Sequence, residues 1–154
     1  DIISYGHDIE AAWLLLEAAE IVGDQVLIEK IKAISVNMAT AASKGLDIDG
    51  GLWYETEHGK LVAQKHSWPQ AEAMVGFFNA WQITKDKKYL QYVFNNWQFI
   101  QQYILDKENG EWFWGVNCDH TIMEGQDKAG FWKCPYHNTR ACLEIIKRIP
   151  YHHN

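Results

Sequence analysis

Apolar residues recur at helical spacing through five stretches of this chain, separated by short runs in which aromatic and polar residues gather around glycine. The first stretch spans about Asp8 to Val22, with Ile9, Ala12, Trp13, Leu16, Ala19 and Ile21 on its apolar side and Glu10, Glu17 and Glu20 between them. Gly23 stops it, and Asp24 caps a second helix, Gln25 to about Ser43, built on Leu27, Ile28, Ile31, Ile34 and Met38. Gly45 ends that helix. Two short extended runs follow, 52–55 and 60–63, joined as a hairpin around Glu57–His58–Gly59. A third helix opens at Trp68, with Pro69 in its first turn, and reaches about Ile83 through Met74, Val75, Phe77, Phe78 and Trp81. Asp86 caps a fourth, Lys87 to about Leu105, carrying Tyr89, Leu90, Val93, Phe94, Trp97, Ile100 and Ile104. An extended aromatic run, 112–116, and a polar loop from Asp119 to Lys128 then lead to a last helix from Tyr136 to Ile149–Pro150. The tail 151–154 reads as frayed, and its two histidines as chance rather than a metal site.

Superposing these pieces uncovers a repeat. Glu10–Ala11, Glu72–Ala73 and Arg140–Ala141 occupy matching places at the starts of three helices, at a spacing of about sixty residues. Asp24 matches Asp86, Gly51-x-Trp53 matches Gly110-x-Trp112, and Lys65 matches Lys133. The unit is a helical hairpin, which needs neighbours to bury its faces. Its first helices are rich in alanine and aromatics and suit an inner ring; its second helices carry Lys, Gln and Glu and suit the outside. The expected fold is therefore all-α, part of an α/α toroid of helical hairpins with short β-hairpin loops. Two and a half hairpins cannot close such a ring, so residues 1–154 are expected to form a single partial domain that lacks an N-terminal portion. The open edges would be covered by that portion or by a second copy in a homo-oligomer.

Eight Trp, seven Tyr and six Phe make the chain 14% aromatic, a composition suited to stacking on sugar rings as well as to filling a core. A formal charge of −6, with no basic stripe, argues against nucleic acid as a partner. No apolar run has the length of a membrane span, and no charged-then-apolar leader is present. The chain starts at Asp1 without an initiator Met, directly before a helix, as expected of a piece of something longer. Cys118, Cys134 and Cys142 are odd in number and lack framework spacing, which favours a reducing, cytoplasmic setting.

Chemistry concentrates at the helix starts. His7 and Glu10 lie three apart and face one side of the first helix. His137 stands at the equivalent corner of the last helix, and Trp68 and Glu72 form an i, i+4 pair at the third corner. One histidine beside a carboxylate is most simply a helix-end pair; two at equivalent corners of a repeat converge on one end of a cavity. His-x-x-Glu also occurs in metal sites, but no second such pair accompanies it, and Cys134-x-x-His137 lacks a partner pair for zinc. No metal is expected. Trp13, Trp53, Trp112 and Trp114 suit packing between hairpins, whereas Trp132 sits in a loop running straight to His137 and suits a sugar platform. No phosphate loop, nucleotide-binding glycine pattern or nucleophile elbow occurs.

Three ordered motifs now come together: Ser4–Tyr5–Gly6–His7–Asp8–Ile9–Glu10–Ala11, Ser67–Trp68–Pro69–Gln70–Ala71–Glu72–Ala73, and Asp127 through Lys133–Cys134–Pro135–Tyr136–His137–Asn138. Together they closely resemble the cellobiose 2-epimerases of the N-acylglucosamine 2-epimerase superfamily, over the C-terminal part of that family's domain. The resemblance implies an (α/α)6 barrel whose cavity reversibly inverts C2 of the reducing-end glucose of β-1,4-linked disaccharides. It implies acid/base roles for His7 and His137, active-site carboxylates in Glu10 and Glu72, sugar-contacting aromatics in Trp13 and Trp68, and a platform for the non-reducing sugar in Trp132. It further implies that this chain alone is inactive, because the family's arginine and another histidine lie in the N-terminal part.

The residues suit that chemistry. Epimerisation beside an aldehyde needs a base to take the C2 proton, a stabilised enediol, and an acid on the opposite face; imidazole serves both roles near neutral pH. No cofactor is needed. Other readings remain open: an N-acylglucosamine 2-epimerase or aldose–ketose isomerase of the same superfamily, an α/α-toroid glycoside hydrolase with Glu10 and Glu72 as acid and base about 5–9.5 Å apart, or a non-catalytic carbohydrate-binding scaffold.

Overall fold

A computed structural model describes residues 1–149. The elements run β1 (Ile2–Ser4), α1 (Tyr5–Val22), α2 (Gln25–Ala42), β2 (Glu55–Glu57), β3 (Lys60–Val62), β4 (Gln64–His66), α3 (Ser67–Thr84), α4 (Lys87–Phe99), β5 (Gly115–Asn117) and α5 (Tyr136–Arg148). The expected tail 151–154 lies outside the described residues. All five expected helices are present. Gly23 ends α1 in the left-handed region at φ 78°, returning its N–H to Ala19, and the Asp24 and Asp86 carboxylates accept backbone N–H groups at the starts of α2 and α4.

The boundaries differ in two instructive places. α1 begins at Tyr5 rather than Asp8, because its first turn is chosen for contact and not for apolar period: a Cβ on Gly6 would lie 2.5 Å from the Trp68 ring. α4 gives way at Ile100–Ile104 to a π turn, in which Leu105 donates to the Ile100 carbonyl at 2.9 Å. The wider turn keeps Ile100 and Ile104 buried together.

α3 is the central element, buried at nearly every position from Ser67 to Ala80 and packed against α1, α2, α4 and α5. α2 and α4 bury one face each, through Ser35, Ala39 and Ala42 and through Tyr89, Val93, Asn96 and Phe99. First helices inside and second helices outside is the layering of an α/α toroid, and the chain forms two complete hairpins of one plus the first helix of a third. The core lies in two clusters. One joins Ile9, Ala12, Ala39, Phe77, Tyr89 and Val93; the other joins Trp13, Val75, Phe99, Ile104, Trp112 and Ala141.

The β structure is local and small. β2 and β3 form a hairpin around His58–Gly59, its first strand at 55–57 rather than the expected 52–55, with Glu55 opposite Val62 and Glu57 opposite Lys60. β1 adds a third antiparallel strand, Ile2 opposite Glu57 and Ser4 opposite Glu55. The aromatic run expected at 112–116 becomes strand only at β5, which pairs with β4.

Polar groups buried in the loops fix β4 and the start of α3. Lys65 is fully buried, with its ammonium 2.6 Å from Asp47, 2.5 Å from Asp49 and 4.1 Å from the Trp53 ring centroid. Gln70, also buried, both accepts from the Leu52 N–H at 2.7 Å and donates to its carbonyl at 2.8 Å, as a neighbouring strand would. Lys133, the repeat partner of Lys65, makes the corresponding pin at 2.9 Å to Glu111. Among the described residues no helix is long and apolar enough to cross a membrane.

The α1–α3 crossing is tight enough to require glycine. A Cβ on Gly76 would meet the Ile9 side chain at 2.5 Å and its carbonyl oxygen at 2.7 Å. Gly76→Ala should therefore destabilise the fold by about 1–3 kcal/mol, against the gain of about 1 kcal/mol expected for alanine in a free helix. Denaturant unfolding of the two proteins measures the sign directly.

Candidate active site

The first turns of α1, α3 and α5 lie side by side, as their repeat positions predict. Each contributes an ionisable group one turn in: Glu10, Glu72 and Arg140. The Arg140 guanidinium sits between the two carboxylates, its Nη2 donating to Glu10 Oε1 and to Glu72 Oε1 at 2.6 Å each, while Nη1 donates to the Tyr136 hydroxyl. Burial opposes the arginine charge, and the hydrogen bonds to Glu72 and Glu10 outweigh it, so its pKa lies above the ordinary value. Arg140 also stacks over the Trp13 and Tyr136 rings, at 5.1 and 4.5 Å from their centroids.

Glu72 is 1% exposed and saturated. Its Oε2 accepts the Trp13 indole N–H at 2.9 Å, and its Oε1 meets His137 Nδ1 at 2.7 Å besides Arg140. Arg140 and the indole can only donate, so both Glu72 oxygens act as acceptors. Where Oε1 accepts from the His137 ring as well, His137 carries a hydrogen on Nδ1, and Nε2 is the nitrogen left to meet a ligand. His7 has the same layout with a different support: its Nδ1 lies 2.7 Å from the Ser4 hydroxyl. The two imidazoles flank the Trp68 indole, with ring centroids 4.8 Å (His7) and 5.5 Å (His137) from it.

A cavity of about 500 Å³ opens over these rings, a size suited to a small ligand. Of the residues singled out from sequence, His7, Glu10, Trp68, Trp132 and His137 line it. Trp132 is 84% exposed at its rim. Glu72 and Trp13, expected among the substrate-binding residues, lie behind that lining. Trp13, 1% exposed, lies beneath the wall with its N–H on Glu72, and Glu72 lies behind His137.

The structure adds Tyr54, His66 and Trp114 to the lining. His66 stacks on Tyr54 at 4.0 Å and 19°, presents an edge to Trp114 at 6.2 Å, and shares Nε2 with Gln64 Oε1 at 3.0 Å. Burial lowers its pKa to about 4, so His66 is neutral near pH 7. These residues carry no helical period, and a β4–β5 pairing across some fifty residues brings them together. Arg140 did leave a sequence signal: it stands where the repeat has Glu10 and Glu72, so convergence of the three helices puts a cation between two anions.

Glu10, Glu72 and His137 also form a group of potential metal ligands within 4.8 Å of one another. The Arg140 guanidinium already serves both carboxylates, which fits a charge clamp better than a cation site.

The family model described as N-acylglucosamine 2-epimerase (GlcNAc 2-epimerase) matches residues 2–141. A curated cellobiose 2-epimerase of Bacteroides fragilis is 46% identical over 147 residues, covering 94% of this chain and 38% of that protein. One of Dictyoglomus turgidum is 43% identical over 150 residues, covering 97% of this chain and again 38% of the relative. The solved structure of a cellobiose 2-epimerase from Bacillus thermoamylovorans superposes with a TM-score of 0.91 at 42% identity, over 97% of this chain and 38% of that one. The chain thus spans well under half the length of these relatives, and it superposes on the solved one over nearly all of its own length. On the match of the family model to residues 2–141, this chain belongs to the N-acylglucosamine 2-epimerase family.

Proposed function

We propose that this chain supplies the acid/base histidines and part of the sugar-binding wall of a carbohydrate 2-epimerase acting on the reducing-end glucose of β-1,4-linked disaccharides such as cellobiose. One observation carries the reading: two imidazoles on converging helices face one cavity, each with Nδ1 engaged by a side chain of the protein. One Nε2 takes the C2 proton of the open-chain aldose as the C1 oxygen gains the negative charge, giving the enediol in its deprotonated form. The other histidine, entering the reaction as the imidazolium with hydrogen on both nitrogens, gives its Nε2 proton to C2 from the opposite face. No net oxidation occurs, and the hydrogen exchanges with solvent.

The tryptophans at 68, 114 and 132 suit apolar sugar faces, and Glu10 suits hydroxyl groups. His66, neutral near pH 7, offers an uncharged aromatic edge beside them. Similarity to cellobiose 2-epimerases supports the disaccharide over an N-acylated sugar. A hydrolase pair is poorly supported, since Glu72 is saturated behind His137 and its facing oxygen shares one arginine nitrogen with Glu10. The rest of the ring comes from the remainder of a longer polypeptide, and the isolated chain is inactive. The three free cysteines fit a cytoplasmic protein.

Incubating the full-length protein with cellobiose in heavy water should place one deuterium at C2 of the epimer. Epimer without deuterium refutes the enediol route, released glucose favours a hydrolase, and binding without exchange favours a scaffold. His137→Ala should lower kcat by about 10²–10⁴-fold with the fold intact by circular dichroism; unchanged turnover removes His137 from the chemistry.

His66 yields a separate prediction on stability. Its folded pKa of about 4 lies below the ordinary 6.5, so between these values the unfolded chain binds the proton that the folded chain refuses. Its contribution to stability should be fully present above pH 6.5 and should fall as pH drops toward 4. His66→Gln should flatten that part of the denaturant midpoint against pH profile, and an unchanged slope would contradict the assignment.

A further inference from the structure

Ser4 stands at the N-cap of α1, where a serine normally accepts the backbone N–H of the second or third helical residue. The aspartates that open α2 and α4 cap their helices in this way, whereas His66 and Pro135, which open α3 and α5, make no side-chain cap. Asp24 accepts from Val26 and Leu27 at 2.9 and 3.2 Å, and Asp86 accepts from Lys88 at 3.0 Å. Ser4 makes no side-chain cap. Its hydroxyl instead lies 2.7 Å from Nδ1 of His7, the third residue of the helix whose backbone it would otherwise serve. The residue is itself held from behind, because β1 pairs Ser4 with Glu55 and the adjacent Tyr5 hydroxyl lies 2.9 Å from Thr56 Oγ1.

A cap bond is worth about 1 kcal/mol to a helix, so a serine that forgoes it in favour of an imidazole on the wall of a cavity marks a local rule set aside at a functional place. The chemistry of the pair explains the choice. A hydroxyl can either accept from Nδ1–H or donate to a bare Nδ1; in the accepting sense it holds the ring plane and leaves Nε2 without hydrogen, the arrangement that an accepting Glu72 gives His137. Without that partner a neutral imidazole favours the opposite tautomer, whose Nε2 carries hydrogen and cannot take a proton from carbon.

We propose that Ser4 is a positioning residue for His7, its hydroxyl withdrawn from helix capping to hold the imidazole with Nε2 free for proton transfer. The proposal rests on the epimerase reading of His7. In the full-length protein, Ser4→Ala should lower kcat on cellobiose about tenfold or more with little change in KM and no change in melting temperature, since no cap bond is lost. Nitrogen-15 spectra should show His7 moving from the Nδ1–H toward the Nε2–H tautomer. Ser4→Thr keeps the hydroxyl and should recover most of the loss.

A lowered melting temperature with kcat and tautomer unchanged would make Ser4 structural and overturn the proposal. His7→Ala separates the two layers of inference. Inactive His7→Ala beside fully active Ser4→Ala sinks the role of Ser4 alone, whereas active His7→Ala sinks it together with the acid/base role of His7.

Discussion

One guanidinium holds the site together. Arg140 joins Glu10 on α1 to Glu72 on α3 from its own place on α5, so three helix starts meet at one cation hydrogen-bonded to two carboxylates. Removing the cation would leave two carboxylates facing each other in a half-buried space, and breaking a buried pair of this kind costs about 3–5 kcal/mol. Lysine could not replace it. The planar fork reaches both glutamates and Tyr136 at once while its face covers Trp13. His137 depends on this clamp at one remove, because the carboxylate that orients its ring is the one Arg140 fixes.

The helices were legible because their apolar period, aspartate caps and glycine stops all point the same way, and the repeat followed from them. The cavity was legible in outline, since histidines at equivalent helix starts must converge if the hairpins do. What stayed hidden has physical reasons. β1 is too short to show alternation, and the β4–β5 pairing joins segments far apart in the chain. Glu72 and Trp13 sit at the right positions along their helices, but the sequence period cannot tell a side chain on a cavity wall from one hydrogen-bonded just behind it. Arg140 lay in the repeat register, yet only the packing shows that one nitrogen serves two acids.

The pins under the site explain how loop residues keep precise places without regular structure around them. Lys65 has no exposure and two aspartate partners, so β4 cannot slide without burying an unpaired ammonium. Gln70 bonds both polar groups of Leu52 and so ties the preceding loop to the central helix. His66 and Trp68 lie between these anchors, which is why a wall built from a short strand and the first turn of a helix can be rigid.

The two layers of the hairpins end differently. The outer helices α2 and α4 begin on aspartates that satisfy their own backbones, whereas α1, α3 and α5 begin on Ser4, His66 and Pro135, none of which caps with its side chain. Of the inner helices, α1 and α3 are therefore held by burial along their length rather than by their tips. Residues at those tips are released from any duty to start a helix, and the scaffold can exchange them for new chemistry while the outer layer goes on specifying the shape.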